Sequence, residues 1–346
     1  MKAMLLDRVT DLSLNKYPLR LAEIPTPVPK AGEVLIRTSV CGISDTELDE
    51  IEGRLPPAFF PIVPGHQVVG EVVELGSDVR RLKTGDRVGV AWIFSACGRC
   101  AHCLNGEENL CAAFQVTGQD VNGGYAEYIS VPEAFTFRIP PVFKDAEAAP
   151  LLFAGATGYR SLRLSQVQNG QVLGLAGFGA TAHLVLKMAK YLYPSTRVFV
   201  LTNNDQEQRV ALEYGAAWAG NLQDTLPQKP DAIIDTSPFW KPVSELLRHL
   251  GSGGRLVINA IRKENPDNGG RHRAMPLSYR SRPQKIVRSV TNMLRRDVQE
   301  FLQLAATIPL RPEYEEYPLE AANKALLELK TGQNRGAIVL VPPFGA

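Results

Sequence analysis

The segment Val172-Leu173-Gly174-Leu175-Ala176-Gly177-Phe178-Gly179 decides the fold of this chain. A short apolar run ends at Ala176, small residues follow, and a helical pattern begins at about residue 181. Glycines between a strand and a helix let a phosphate approach backbone N–H groups at the positive end of the helix. The spacing G-x-A-G-x-G therefore predicts a dinucleotide-binding turn, with Ala176 where a second glycine is usual. A plain tight turn in another α/β fold is the alternative.

Alternating elements surround this turn. Short apolar runs predict strands at 172–176, 198–201, 232–235 and 255–260, and helical patterns predict helices at 181–192, 206–214 and 243–250. Such alternation is typical of right-handed βαβ units in a parallel sheet. β-type runs at 33–40, 68–75 and 87–93, separated by Pro and Gly clusters, indicate a β-rich amino-terminal domain. Predicted elements at 297–306, 313–317, 319–329 and 337–341 are interpreted as a return to that first domain.

The end of the predicted strand 198–201 leaves the nucleotide preference open. Thr202 and Asn203 are expected to contact the nucleotide, but no carboxylate follows until Asp205. An acid here would bind the ribose hydroxyls of NAD, and a basic residue would bind the 2′-phosphate of NADP. Neither stands directly after Thr202, so NAD(H) and NADP(H) both remain possible cofactors.

Length and charge narrow the function classes. A chain of 346 residues favours two domains. Its 38 Lys and Arg residues nearly balance 36 Asp and Glu residues, which argues against nucleic acid or an anionic membrane as a partner and favours a small molecule. The amino-terminal residues become charged at Asp7 and Arg8, so we expect no secretory signal, and no stretch has the length of a membrane span.

Four of the five cysteines lie within fifteen residues, at Cys97, Cys100, Cys103 and Cys111. This grouping suits a metal site in a reducing compartment better than a disulfide framework, so a cytoplasmic location is expected. Four thiolates this close can complete a tetrahedral shell around one Zn²⁺, which predicts a structural zinc without an open position. An iron–sulfur centre or reduced surface cysteines are the alternatives, and His102 inside the loop is interpreted as solvated.

Several further motifs add a family resemblance. The chain resembles the zinc-containing alcohol dehydrogenases of the medium-chain dehydrogenase/reductase superfamily along nearly its whole length. The resemblance is carried by the glycine turn, the cysteine lobe, and residues 41–47 (CGISDTE), 64–67 (PGHQ), 85–88 (GDRV), 123–127 (GGYAE) and 157–159 (TGY).

The resemblance implies an α/β protein with a GroES-like β-rich catalytic domain over 1–150, a Rossmann doubly wound parallel sheet over 151–290, and a return segment over 291–346. It implies a cleft between the domains where nicotinamide meets substrate, with Thr157 near the cofactor. A homodimer or homotetramer is also implied.

The expected catalytic zinc ligands are largely replaced. The family uses a cysteine, the histidine of a Gly-His-Glu motif and a second cysteine, and these positions hold Ser44, His66 and Phe153 here, with Gln67 in place of the glutamate. A serine hydroxyl and a glutamine amide are poor zinc ligands, and phenylalanine offers none. We therefore predict that the catalytic zinc is absent, the alternative being a displaced site with Asp45 or Asp49 beside His66.

Without that metal, hydrogen-bond donors must polarise the substrate. His66, Ser44 and Thr46 are the candidate catalytic groups, and Asp49 stands where the family's outer proton relay often lies. Each also has a structural interpretation: His66 bonded to main chain, Ser44 as an inert filler. Asp45 and Glu47 are interpreted as solvated or paired with arginine. Trp92, Ile93 and Phe153 are predicted to line an apolar substrate pocket, or else to be core.

The leading functional hypothesis is a metal-independent NAD(P)(H) oxidoreductase acting on a carbonyl, an alcohol or a conjugated double bond. Conjugate reduction needs less polarisation than reduction of a simple ketone, which favours enone or quinone-like substrates. A zinc alcohol dehydrogenase with atypical ligands is the second hypothesis. A dinucleotide-binding protein without catalytic activity is the third.

Overall fold

The computed structural model describes residues 1–237, 239–259, 284–308 and 310–343 of the chain. It divides into two compact units, one formed by Met1–Ala156 with Met293–Ala346 and the other by Thr157–Asn292. Within the described residues, no helix combines the length and the apolar character that crossing a membrane requires.

Strands and helices are numbered along the chain. The strands are β1 (Lys2–Leu6), β2 (Leu19–Glu23), β3 (Glu33–Ile43), β4 (Gln67–Leu75), β5 (Arg87–Val90), β6 (Ile93–Ser95), β7 (Gln115–Val116), β8 (Tyr128–Pro132), β9 (Thr136–Arg138), β10 (Val172–Ala176), β11 (Arg197–Leu201), β12 (Trp218–Gly220), β13 (Ala232–Asp235), β14 (Arg255–Ile258), β15 (Ile286–Ser289), β16 (Tyr314–Pro318) and β17 (Ala337–Val341). The helices are α1 (Asp45–Ile51), α2 (Ala101–Leu104), α3 (Asp145–Ala148), α4 (Ala154–Ser165), α5 (Ala180–Leu192), α6 (Asp205–Glu213), α7 (Lys241–His249), α8 (Arg295–Thr307) and α9 (Ala322–Thr331). Short 3₁₀ helices lie at Glu108–Leu110, Glu133–Phe135, Ala149–Leu152 and Leu319–Ala321.

The first unit is built on a mixed sheet with the strand order β16-β17-β3-β4-β5-β9, and β8 pairs with β3 outside this path. Strand β3 is its centre because it pairs with β17, β4 and β8. The carboxyl-terminal strand β17 pairs antiparallel with β3, with Ile338 opposite Ile43. The end of the chain therefore completes the sheet that its beginning starts.

The second unit contains a parallel sheet with the order β12-β11-β10-β13-β14-β15. All five residues of β10 are buried, as expected for a strand covered by helices on both faces. The order reverses between β10 and β13, which is the switch point where doubly wound sheets bind ligands. The predicted α/β class with a Rossmann doubly wound sheet is confirmed.

Most predicted elements agree with the structure to within a few residues. The predicted strand 87–93 is wrong as one element, because β5 ends at Val90 and β6 begins at Ile93, which leaves Ala91 and Trp92 between them. The last residue of the predicted strand 255–260 lies outside the described residues, and β14 ends at Ile258. The pairing of β1 with β2 and the helix α1 have no counterpart among the sequence predictions.

Candidate functional site

His66 is held in the first unit by backbone pairing on its amino-terminal side. Gly123 N–H donates to the carbonyl of Val63 at 2.6 Å, and Tyr125 N–H donates to the carbonyl of Pro64 at 2.9 Å. Gly65 has a φ of +97°, and a Cβ there would lie 2.3 Å from the Tyr125 ring, so only glycine fits. This packing delivers His66 to the start of β4 with its side chain fully buried.

A buried carboxylate lies against the imidazole. Glu47 Oε1 is 2.7 Å from His66 Nδ1, and both side chains are 0% exposed. The contact does not have hydrogen-bond geometry, because neither Glu47 Oε1 nor His66 Nδ1 has a hydrogen-bond partner among the described residues, and His66 Nε2 has none either. The interpretation of Glu47 as solvated or arginine-paired is therefore wrong. A buried carboxylate this close to one ring nitrogen places a negative charge beside the imidazole and limits the orientation of the ring.

Ser44 connects this pair to helix α1. Its N–H and its Oγ both donate to Glu47 Oε2 at 2.8 Å, and its Oγ accepts from Thr46 N–H at 3.3 Å. Ser44 thus caps α1, and Glu47 completes a capping box. The pattern S-x-x-E in residues 44–47 is the sequence signal for this capping box, but not for the contact of Glu47 with His66.

Two aromatic rings cover the imidazole. The Phe153 ring meets His66 edge-on at 4.5 Å between ring centroids, and Trp92 lies 6.3 Å from His66 and 5.9 Å from Phe153. Phe153 is half-buried and Trp92 is 7% exposed. Ile93, by contrast, is fully buried in the core. The surroundings of His66 are therefore aromatic and apolar on the side of Trp92 and Phe153.

The donor set at His66 does not fit a tetrahedral zinc site. The Ser44 hydroxyl is bonded to Glu47, Glu47 approaches His66 Nδ1, and the Phe153 ring offers no ligand atom. Within the described ranges, only the four lobe cysteines bring three or more His, Cys, Asp or Glu ligand atoms within 4.8 Å of one another. Asp45 is exposed, and the Asp49 carboxylate pairs with Arg54 at 2.5 Å, so neither joins His66 in such a group.

The other predicted residues of α1 have different surroundings. Thr46 is 3% exposed, and its N–H bonds to Ser44. The Asp49 carboxylate is engaged by Arg54. The structure therefore brings Ser44 and His66 to Glu47, leaves Thr46 bonded through its N–H to Ser44, and turns Asp49 toward an arginine.

A second buried acid lies on the same helix. Glu50 is 1% exposed, and neither carboxylate oxygen has a hydrogen-bond partner among the described residues. Burial raises the pKa of Glu50 well above its ordinary value, and Glu47, Asp49 and Asp120 raise it further. Burial also raises the pKa of Cys41, which is fully buried and bonds weakly to Gly42, so this fifth cysteine fills core space.

The four-cysteine lobe forms a compact cluster in the same unit. The four Sγ atoms lie within 4.8 Å of one another, around the short helix α2. Backbone N–H groups of Arg99 and Cys100 lower the pKa of Cys97 to about 6, while burial raises that of Cys103 to about 12. Four sulfurs at this spacing fit a closed, structural zinc site, as predicted.

Residue 108 anchors the lobe within the first unit. Glu108 is 5% exposed and accepts from the backbone N–H and the Nε of Arg295 at 3.0 and 3.1 Å. The Arg295 guanidinium lies 4.8 Å from the centre of the Phe135 ring. The start of α8 therefore holds the lobe.

In the second unit, the glycine turn that follows β10 has the backbone geometry that a phosphate site needs. Gly177 has a φ of +77°, and a Cβ there would lie 3.0 Å from Thr236 Oγ1. Gly179 caps the thirteen-residue helix α5, and a Cβ on it would meet no described atom within 4 Å. The first N–H groups of α5 have no helical carbonyl to bond, so the turn fits an anionic pyrophosphate.

The remaining predicted cofactor residues surround this turn or lie on α4. Gly174 packs on Ile233, Ala176 ends β10, and the Phe178 ring lies tilted against His183 with ring centroids 4.2 Å apart. Thr157 lies in α4 and is 8% exposed. Asn203 Oδ1 accepts from Leu222 N–H at 3.3 Å.

Glu207 was missed by the reasoning from sequence. Its Oε2 accepts from Thr202 Oγ1 at 2.5 Å and from Phe178 N–H at 3.2 Å, which joins the end of β11 to the glycine turn. Glu207 lies five residues after Thr202, whereas the usual acid is expected directly after the strand.

Comparison with known proteins identifies two matching domain families. Residues 30–141 match the alcohol dehydrogenase GroES-like domain, and residues 199–340 match the zinc-binding dehydrogenase domain. A probable alcohol dehydrogenase AdhA of Mycobacterium tuberculosis is 38% identical over 336 residues, which cover 95% of this chain and 94% of that protein. An alcohol dehydrogenase of Geobacillus stearothermophilus is 32% identical, with 94% and 96% covered. A cinnamyl alcohol dehydrogenase of Sorghum bicolor superposes with a TM-score of 0.82 at 26% identity, over 98% of this chain and 97% of that one.

Proposed function

The chain belongs to the alcohol dehydrogenase family with GroES-like and zinc-binding dehydrogenase domains, and from this we propose that it is an NAD(P)(H)-dependent oxidoreductase whose His66, not a catalytic zinc, activates the substrate oxygen. The role of His66 in place of a zinc rests on its buried contact with Glu47, in surroundings where Ser44 and Phe153 replace thiolate ligands. The reaction interconverts an alcohol and a carbonyl, or reduces a conjugated double bond.

The nicotinamide, when bound, supplies or accepts the hydride. Backbone N–H groups of the glycine turn would hold the pyrophosphate of the cofactor. Glu47 orients His66 through Nδ1 and stabilises its positive charge, so that Nε2–H can donate to a substrate carbonyl oxygen. As negative charge develops on that oxygen, the proton passes from Nε2, and the buried carboxylate compensates the imidazolium before the transfer.

The covering rings favour an apolar substrate. Trp92 and Phe153 present aromatic surface beside His66, and neither adds a charged group. An aromatic or long aliphatic aldehyde, or an enone, matches such a lining better than a small polar alcohol. Enone reduction needs less polarisation of the oxygen, which suits a hydrogen-bond donor in place of a Lewis acid.

Three measurements test the role of His66. In protein purified without chelator, we expect one zinc per chain, held by the lobe. His66→Ala should lower kcat/KM for a responsive aldehyde or enone by about 10²- to 10⁴-fold, the usual contribution of a positioned acid. The dissociation constant of the nicotinamide nucleotide and the zinc content should stay unchanged.

Glu47→Gln is the partner variant, because it keeps the shape of the side chain and removes its charge. It should lower kcat by about 10- to 100-fold, as loss of an orienting carboxylate typically does, with little change in KM. Loss of one zinc per chain on His66→Ala would overturn the metal-free proposal. Unchanged turnover in both variants would overturn the role of His66.

The proposal also includes the oligomeric state and the cellular location of the protein. We infer a homodimer or homotetramer in the cytoplasm acting on a small molecule, on the basis of family membership, the reduced cysteine cluster and the balanced charge. Light scattering after size-exclusion chromatography would measure the assembly state, and a monomer at working concentration would refute this part.

A further inference from the structure

We propose that Glu207 makes this site prefer NAD(H) over NADP(H). The inference rests on the proposed function, in which the second unit binds a nicotinamide dinucleotide. The sequence directly after β11 offers only the neutral residues Thr202, Asn203 and Asn204 before Asp205. The structure supplies a carboxylate at that strand end from the next helix.

The position of the carboxylate is fixed from two sides. Thr202 Oγ1 donates to Glu207 Oε2 at 2.5 Å, and Phe178 N–H donates to the same oxygen at 3.2 Å. Asn204 caps α6 and accepts from the N–H of Glu207 at 3.3 Å, which sets the start of the helix. Glu207 therefore lies where the carboxyl end of β11 meets the glycine turn, the place at which doubly wound sheets bind the adenosine ribose.

Within the described ranges, no ion pair cancels the charge of Glu207. No Lys, Arg or His nitrogen among the described residues lies within 4.0 Å of its carboxylate. The first turn of α6 favours a negative charge through the helix dipole. Burial, followed by the charge of Lys187, lowers the pKa of His183, while the charge of Glu207 acts in the opposite direction.

The two nucleotides differ in the group that reaches this position. The ribose of NAD carries 2′- and 3′-hydroxyls, which can donate to the Glu207 carboxylate. The 2′-phosphate of NADP adds negative charge beside that carboxylate, with no cation paired to it among the described residues to offset the repulsion. Arg209 is exposed and its Nε bonds to the carbonyl of Asp205, so it is already engaged away from the carboxylate.

Nucleotide titration of the purified full-length protein tests the inference without turnover. Dissociation constants for NADH and NADPH are measured by fluorescence or calorimetry for the wild type, for Glu207→Gln and for Glu213→Gln. The glutamine at 207 can still accept from Phe178 N–H, so the turn is retained, while the charge is lost. Glu213 is exposed on the same helix and provides a control with the same charge change.

The wild type should bind NADH more tightly than NADPH. Glu207→Gln should shift the ratio of the two dissociation constants toward NADPH by about tenfold or more, the effect expected for removing one charge near a phosphate. Glu213→Gln should leave the ratio unchanged.

Three results would overturn the assignment. Equal weakening of both nucleotides in Glu207→Gln would mean that the carboxylate only holds the turn. Tighter binding of NADPH by the wild type, reduced by Arg209→Ala, would assign the 2′-phosphate to that arginine. An unchanged ratio in Glu207→Gln would remove Glu207 from nucleotide selection. Failure of the wild type to bind either nucleotide would instead refute the proposed function itself.

Discussion

The cysteine lobe and the His66 region are two places in one unit where the family's metals would lie, and they differ in what this chain retains. The lobe has four thiols whose sulfurs lie within 4.8 Å of one another. The His66 region has one imidazole, a buried carboxylate beside it and an aromatic ring where a thiolate would stand. The lobe therefore offers sulfur ligands to a metal, whereas the His66 region offers an imidazole and a carboxylate.

The difference shows how a site's chemistry depends on where its ligands come from. The lobe draws its four ligands from fifteen consecutive residues, so that one loop sets their geometry. The His66 region assembles α1, the start of β4 and the residue after a 3₁₀ helix, so one replacement alters the contacts of the others. Ser44 and Glu47 show this coupling, because the hydroxyl that replaces a ligand now bonds the carboxylate that orients His66.

The largest effect is expected from removing a ligand of the lobe. Cys103→Ser should reduce the zinc content from one per chain to none and lower the free energy of unfolding by more than about 3 kcal/mol, because folding energy from a structural zinc is lost. Elemental analysis and denaturant unfolding measure both quantities. Cys41→Ala is the control, since this buried cysteine lies outside the cluster and should keep the zinc. Full zinc retention in Cys103→Ser would contradict the four-thiol assignment.

Introducing thiolate ligands into the His66 region tests the same comparison in the opposite direction. The double variant Ser44→Cys with Phe153→Cys supplies two thiolates beside His66, which is the donor type that zinc prefers. Zinc content should rise from one to two per chain, while either single variant should stay near one. If the double variant gains no metal, the position of His66 is unsuited to zinc whatever its neighbours are.

A third prediction concerns the buried acid on α1. The pKa of Glu50 is raised in the folded state by burial, then by Glu47, Asp49 and Asp120, whereas in the unfolded chain it is about 4.3. The folded state therefore keeps a proton that the unfolded state releases. Stability linked to Glu50 is present below about pH 4.3 and is lost as pH rises toward the raised pKa.

Replacing Glu50 with a side chain that cannot ionise removes this loss of stability at higher pH. Glu50→Gln should gain stability over the wild type as pH rises, by up to about 1.4 kcal/mol per pH unit between the two pKa values. Urea unfolding at about pH 5 and about pH 7 measures the difference. Glu52→Gln is the control: burial alone would raise the pKa of Glu52, but hydrogen bonds from Lys330 and Arg54 lower it, so the stability linked to it changes only below about pH 4.3. Its difference from the wild type should therefore be the same at about pH 5 and about pH 7. A pH-independent difference for Glu50→Gln would show that Glu50 is ionised when folded.

Local spacing made the lobe and the glycine turn predictable. Their chemistry lies in consecutive residues, and strands such as β10 and β13 are marked by continuous apolar runs. The roles of Glu47 and Glu207 were not predictable in this way, because each acts across an element boundary. Glu47 reaches a histidine nineteen positions away, and Glu207 reaches the turn at Phe178. Such contacts are created by tertiary packing, which the spacing of residues does not encode.

The smallest effect separates two roles of Ser44, which caps α1 and also donates its hydroxyl to Glu47. Ser44→Ala should lower the free energy of unfolding by about 1 kcal/mol, the usual cost of a lost cap, and change kcat/KM by less than about tenfold, because Glu47 still contacts His66. Ser44→Asn restores a good capping residue and should recover the stability. A loss of about 10²-fold or more in kcat/KM in both variants, with stability recovered only in Ser44→Asn, would instead make the serine hydroxyl the proton donor and leave His66 as its support.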